Sequence, residues 1–309
     1  MRLSPQSAED GGDLREDHML RIEAANADRN QLGEGPLWDV EEQALYWIDS
    51  FMPAVFRLDP RGGRQHWALP ERVGSIALRR SGGAICSLRS GFHALDFKTG
   101  AVTPYASAGE THPRTRINDG KVDRQGRFIA GSMDEGEADP LCCLYRLDPG
   151  GRVSVIDQDI ICSNGPCWSL DGATLYFADT TRKLIYAYDY DTATGNATNR
   201  RTFVDFAALG FPGYPDGATV DVEGGIWSCE VYRGRLLRFT PDGVLDRVVG
   251  LPVESATSLI FGGPNLDIAY VTSMARPIGG VPLRELEAGM LFAVHGLGVR
   301  GVPEPRFAD

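Results

Sequence analysis

The sequence lacks helical rhythm. In its 309 residues no stretch of ten or more repeats its apolar positions at helical spacing, and the nearest candidate, VPLRELEAG at 281–289, is worth one or two turns. Long apolar runs are missing too. No stretch of 18 apolar residues occurs, and the opening MRLSPQSAED has no apolar h-region, so neither a membrane-spanning helix nor a signal peptide is expected. Cysteine is sparse: six thiols, none in a CxxC pair, which predicts reduced cysteines and a cytoplasmic protein. Positive charge is in deficit, with 31 Lys and Arg against 42 Asp and Glu, for a net charge of −11. Such a surface repels nucleic acid and anionic membranes, and neither partner is expected. HExxH and P-loop patterns are absent, and the one GxGxxG match, GLGVRG at 296–301, opens no helical pattern, so no organic cofactor is expected. A G-x-S-x-G elbow is absent as well, which removes support for serine-esterase chemistry.

What the sequence does have is a degenerate repeat. Copies begin at Trp38, Ala77, Lys121, Cys167, Ala218 and Leu259, so successive starts lie 39, 44, 46, 51 and 41 residues apart. Each contains strands of four to seven residues, such as LYWID, ATLYFAD and DIAYVTS, separated by Gly or Asp-Gly turns. A sheet of three or four such strands cannot bury both faces alone, whereas six arranged radially can. The expected fold is all-β, a six-bladed β-propeller over residues 19–309. Residues 1–18, polar and without periodicity, read as a flexible leader.

Aligned on their shared turn (Asp39, Arg79, Asp123, Ser169, Asp221, Phe261), the copies carry Glu34, Gly74, Asn118, Asn164, Asp216 and Ala256 five residues upstream. Equivalent positions in a radial repeat form a ring, so two carboxylates and two amides are predicted to converge at the mouth of the central channel. All-oxygen donors suit Ca²⁺, Mg²⁺ or Mn²⁺, with Zn²⁺ possible. Asp and Asn beside Gly are also ordinary turn residues, and four of six at one register is what favours a site. Gly74 and Ala256 leave one side of the ring without donors, and the substrate is expected there.

The segments LGEGPLWD, RINDGKVDRQGRFIAGSM, SNGPCWSLDG and YPDGATVDVEGGIW resemble those of the senescence-marker-30/gluconolactonase/luciferin-regenerating family, in order, across residues 20–300. The resemblance implies a six-bladed propeller and hydrolysis of a sugar-acid lactone, an arabinono-, xylono- or gluconolactone, to the free aldonic acid. It implies metal ligands Glu34, Asn164 and Asp216, with Asn118 beside the ion and Arg116 orienting substrate. Asp216 is the expected base for the attacking water and Asp119 its competitor. Glu135, in the divergent segment GSMDEGEADPLCC, is assigned to the substrate side. Two other readings stay open: a lactonase or arylesterase acting on non-sugar esters, which Trp38, Met133, Trp168, Phe211 and Tyr214 would favour by lining the pocket, and a non-catalytic calcium-binding propeller.

Overall fold

The computed structural model describes residues 19–108, 112–276, 283 and 285–309; the leader assigned to residues 1–18 lies outside them. Twenty-four strands form six four-stranded antiparallel sheets, a six-bladed β-propeller, and no helix occurs among the described residues. Of the VPLRELEAG stretch, residues 286–289 form a turn. Blade one runs outward as Gly33–Asp39, Ala44–Asp49, Ala54–Leu58 and Arg64–Ala68. The innermost strands of blades two to five are Val73–Leu78, Thr115–Val122, Ser163–Trp168 and Tyr214–Val220.

The sixth blade is made from both ends of the chain. Ala256–Gly262, Ile268–Ser273 and Phe292–His295 come from the C-terminal side, and Arg21–Ala24 supplies the outermost strand by pairing with Phe292–His295. This explains why the last repeat copy is one strand short.

Each sheet is apolar on both faces because it is sandwiched between two others, and the alternation expected of a half-exposed strand is lost in the inner strands. Six apolar clusters fill the six junctions between blades. Leu37, Tyr46 and Val55 meet Ile76, Cys86 and Leu95 between blades one and two. Trp38 and Trp47 meet Ile260 and Leu291 where blade six returns to blade one. At roughly 25 cal/mol per Å² of apolar surface, such junctions dominate the stability of the ring.

The channel has two unlike ends. At the end where inner strands finish, the segment 301–309 crosses the mouth: Gly301 bridges to Asp221, Phe307 pairs with Arg79, and Ala308 N–H donates to Gly126 O at 2.9 Å. Arg306 pairs with Asp39 at 2.5 Å, and Phe307 is fully buried in the cluster between blades two and three. The other end, where inner strands begin, is open.

Candidate functional site

All six inner strands carry a one-residue bulge at or beside the ring position. The pairing slips between Glu34 and Leu37, Val73 and Ser75, Ile117 and Gly120, Asn164 and Cys167, Pro215 and Ala218, and Ala256 and Leu259. A bulge leaves backbone unpaired and re-aims a side chain that regular pleating would send into a blade junction. Gly35 and Gly165 follow Glu34 and Asn164 in the left-handed region, at φ of 51° and 57°, where a Cβ is unfavourable.

A second recurring device steadies the loops that lead into the ring. In blades one, four and five the second strand carries at or next to its end an acid whose oxygens accept backbone N–H groups just ahead of the inner strand. Asp49 takes Gln31 and Leu32 at 2.7 and 3.2 Å, Asp179 takes Ile161 and Cys162 at 3.2 Å each, and Glu230 takes Gly213 at 2.8 Å. These acids are buried. The recurring segments LYWID, LYFAD and IWSCE carry that signal in the sequence.

At the open end a cavity of about 300 Å³ is lined by Glu34, Arg116, Asn118, Asn164 and Asp216, so the structure brings these five together. Their orientation is set by the neighbouring blade. Asn118 Nδ2 donates to Ser163 O at 2.8 Å and to Asn164 Oδ1 at 3.0 Å, and Asn164 Nδ2 donates to Thr180 Oγ1 at 2.8 Å. Thr180 in turn donates to Pro215 O at 2.8 Å, next to Asp216. Both amides are thus tied through nitrogen, and the Asn164 oxygen also accepts from Asn118, which leaves it one further lone pair.

Burial pushes the Glu34 carboxyl up to about 8, with the Asp119 charge adding to it and Gly35 N–H and Arg116 opposing. Burial also raises Asp216 well above the usual carboxylate range, helped by Glu34 and Asp119. Neither carboxylate has an ion-pair partner within reach among the described residues. Burial lowers the Arg116 pKa, and its guanidinium donates to Ile117 O at 3.2 Å. Two neighbouring carboxylates without an ion pair, with only the Arg116 charge acting on Glu34, and two amides beside them make a donor set that fits a hard divalent ion. Among the described residues no three His, Cys, Asp or Glu side chains gather as a metal cluster, since half of this ring is amide.

The remaining assigned residues lie elsewhere. Asp119 is not in the cavity lining; its Oδ1 accepts Gly120 N–H and its Oδ2 accepts Gly165 N–H, both at 2.8 Å. Glu135 sits outside the cavity, bridging Arg72 at 2.9 Å and Arg89 at 2.8 Å. Glu137, two residues on, lines the cavity instead and holds φ at 51°. Tyr232 lines it too, with φ of 69° and a phenol raised to about 12 by burial, then by Glu137 and Asp216. Of the apolar candidates, Met133 and Tyr214 line the cavity. Trp38 stacks on Tyr270, Trp168 packs on Tyr190, and Phe211 packs on Phe206.

The side of the ring held by Gly74 is filled, whereas blade six, which carries Ala256, lines the cavity through Thr257, Met274 and Arg276. A Cβ on Gly74 would lie 2.5 Å from the carbonyl oxygens of Ile117 and Asn118, so blade three already fills that space. Ala256 is buried in the junction of blades five and six. Leu32, Met274 and Arg276, where blade six meets blade one, border the cavity together with Glu137 and Tyr232 from blades three and five.

Residues 32–275 match the SMP-30/gluconolactonase/LRE-like region. The chain belongs to the SMP-30/gluconolactonase/LRE-like family. Among relatives in this family, it is 35% identical to the regucalcin of Xenopus laevis over 298 residues, covering 94% of this chain and 99% of that one. It is 38% identical to the 6-deoxy-6-sulfogluconolactonase of Pseudomonas putida over 285 residues, covering 90% and 95%. The crystal structure of regucalcin from Agrobacterium tumefaciens, described as a calcium-binding protein, superposes with a TM-score of 0.85 at 26% identity, covering 93% of this chain and 97% of that one. The family thus contains both lactone hydrolases and calcium-binding proteins.

Proposed function

We propose that the protein hydrolyses a small polyhydroxylated lactone, of the aldonolactone kind, to the free acid, using a divalent cation held by Glu34, Asn164 and Asp216 with Asn118 beside it. The observation that carries this reading is the convergence of two unpaired carboxylates and two nitrogen-anchored amides on one cavity of about 300 Å³. A cavity of that size suits one sugar ring. When bound, the cation would supply Lewis-acid polarisation of the carbonyl and a more acidic water.

The chain's own residues divide the remaining work. Arg116, buried and without a carboxylate partner, donates to lactone or hydroxyl oxygens and fixes the ring's orientation. Asp216 takes the proton of the attacking water, since Asp119 already spends both oxygens on backbone N–H groups. Water adds to the carbonyl carbon, the ring C–O bond breaks, and the released alkoxide is reprotonated. Glu137 and Tyr232 bring polar atoms to the flank of the cavity and favour a hydroxylated substrate over an aryl ester.

A second reading, a calcium-binding propeller without turnover, is supported by the names of the regucalcin relatives. We also propose a reducing, cytoplasmic setting, which the six unpaired cysteines support. The deciding experiment is acid release from a panel of aldonolactones and aryl esters, with chelated protein reconstituted with Ca²⁺, Mg²⁺, Mn²⁺ or Zn²⁺. Cation-restored turnover on aldonolactones establishes the first reading. Tight cation binding with no turnover on any lactone or ester establishes the second.

A further inference from the structure

The flank of the cavity away from the ring is basic, in a chain whose net charge is −11. Arg276 lines the cavity, and its guanidinium lies 4.3 Å from the centre of the Phe51 ring. Arg72 lies 4.2 Å from the same ring. Arg72 is close enough to Arg116 to help lower the pKa of that buried guanidinium, burial being the larger cause. One carboxylate, Glu135, serves both Arg72 and Arg89. Arg276 has no ion-pair partner among the described residues, and its backbone N–H donates to Gln31 O at 3.2 Å, which fixes where the side chain starts.

Gathering guanidiniums on one wall is electrostatically unfavourable unless something negative is meant to sit against them. The acids across the cavity do not answer that need. Glu34 and Asp216 belong to the cation ring, and no ion pair joins Glu137 to Arg276. A planar guanidinium braced on an aromatic face keeps its outward N–H groups available for a bidentate oxyanion.

We propose that the substrate carries an anionic group at the end remote from the lactone carbonyl, a sulfonate, phosphate or carboxylate, and that Arg276 receives it at the cavity mouth with Arg72 behind it. The proposal rests on the lactone reading, because the carbonyl end must lie over the Glu34–Asp216 ring for the far end to reach Arg276. Attraction from the same wall would also concentrate such substrates against the overall negative field. Neutral aldonolactones would still fit the cavity but would leave Arg276 without a partner.

The test is direct binding of open-chain products by titration calorimetry, which needs no turnover. The ligands are D-gluconate, 6-phospho-D-gluconate, 6-deoxy-6-sulfo-D-gluconate and D-glucarate, each with cation-loaded protein. At least one terminally charged ligand should bind about tenfold or more tightly than gluconate, as expected for one charge-assisted contact, and its lead should shrink as salt is raised. Arg276→Ala should cut that lead to about threefold or less, and Arg276→Lys should restore part of it. The three charged ligands separate sulfonate, phosphate and carboxylate as the preferred group. Gluconate binding with no lead for any charged ligand, or a lead that survives Arg276→Ala, overturns the proposal while leaving the lactone reading in place. No binding of any aldonate overturns both.

Discussion

Asp119 Oδ2 accepts the backbone N–H of Gly165, one blade away, at 2.8 Å, and so fixes the turn that carries Asn164. Asp119 therefore acts on the ring through its neighbour. Asp119→Ala should lower unfolding stability by about 1–3 kcal/mol, the cost of leaving buried N–H groups unpaired. It should also weaken cation affinity, with Asp119→Asn milder on both counts. Urea denaturation and cation titration check this. Unchanged cation affinity with collapsed turnover would instead return Asp119 to the role of base.

Burial raises Glu34 to about 8, above its ordinary value near 4.5. The folded, cation-free protein thus holds a proton that the unfolded chain releases. Stability of that form should fall as pH rises from about 4.5 towards 8. Because cation and proton compete for the same carboxylate, apparent cation affinity should climb over the same range, with proton uptake by buffer on binding. Thermal melts with and without chelator, scanned across pH, read both slopes.

Removing one carboxylate from the neighbouring pair relieves repulsion and loses a donor at once. Glu34→Gln and Asp216→Asn should each melt higher than the parent in chelator at pH 8, and each should lose most of the stabilisation that saturating cation gives the parent. Turnover should fall by about 10²-fold or more. A variant that kept full activity would end the proposed scheme.

Thr180 holds Asn164 by its nitrogen and Pro215 by its carbonyl oxygen. Thr180→Val keeps the shape and removes both bonds. Cation affinity should drop about tenfold or more, as for other residues that orient a ligand, while the melting point of the chelated protein moves only slightly.

Phe307 is fully buried between blades two and three although it belongs to the segment crossing the far mouth. Phe307→Ala should cost about 3–5 kcal/mol by urea denaturation. Cation affinity at the opposite end should change little, which separates the two ends of the channel experimentally.

The ring was legible because register survives divergence: Glu34, Asn118, Asn164 and Asp216 hold their offset from the turn even where spacing between copies varies. The bulges that aim these residues inward were not legible, since a bulge is a mismatch between two strands and neither shows it alone. Glu135 was assigned where Glu137 lines the cavity, because the GSMDEGEADP insertion breaks the repeat's register and Glu137 takes a left-handed φ that sequence does not announce. Gly74 looked like a gap in the donor ring and is a point of backbone contact, which only the packing of blade three reveals. A first strand starting near Met19 and Leu20 was legible, but its place at the outer edge of the last blade was not, because RIEA is short and mostly exposed, with no apolar alternation to mark its partner.

That short strand governs how the molecule can be made. Arg21–Ala24 leaves the ribosome before every other described strand, and its partner Phe292–His295 after all of them. Throughout synthesis the growing chain is an open arc with an unpaired edge at its leading blade, the exposure that invites association between nascent chains. Closure is a long-range pairing, the kind of contact whose entropy cost slows folding. A circularly permuted gene that starts at a loop between two complete blades would bring the two halves of the sixth blade together in sequence and shorten that wait.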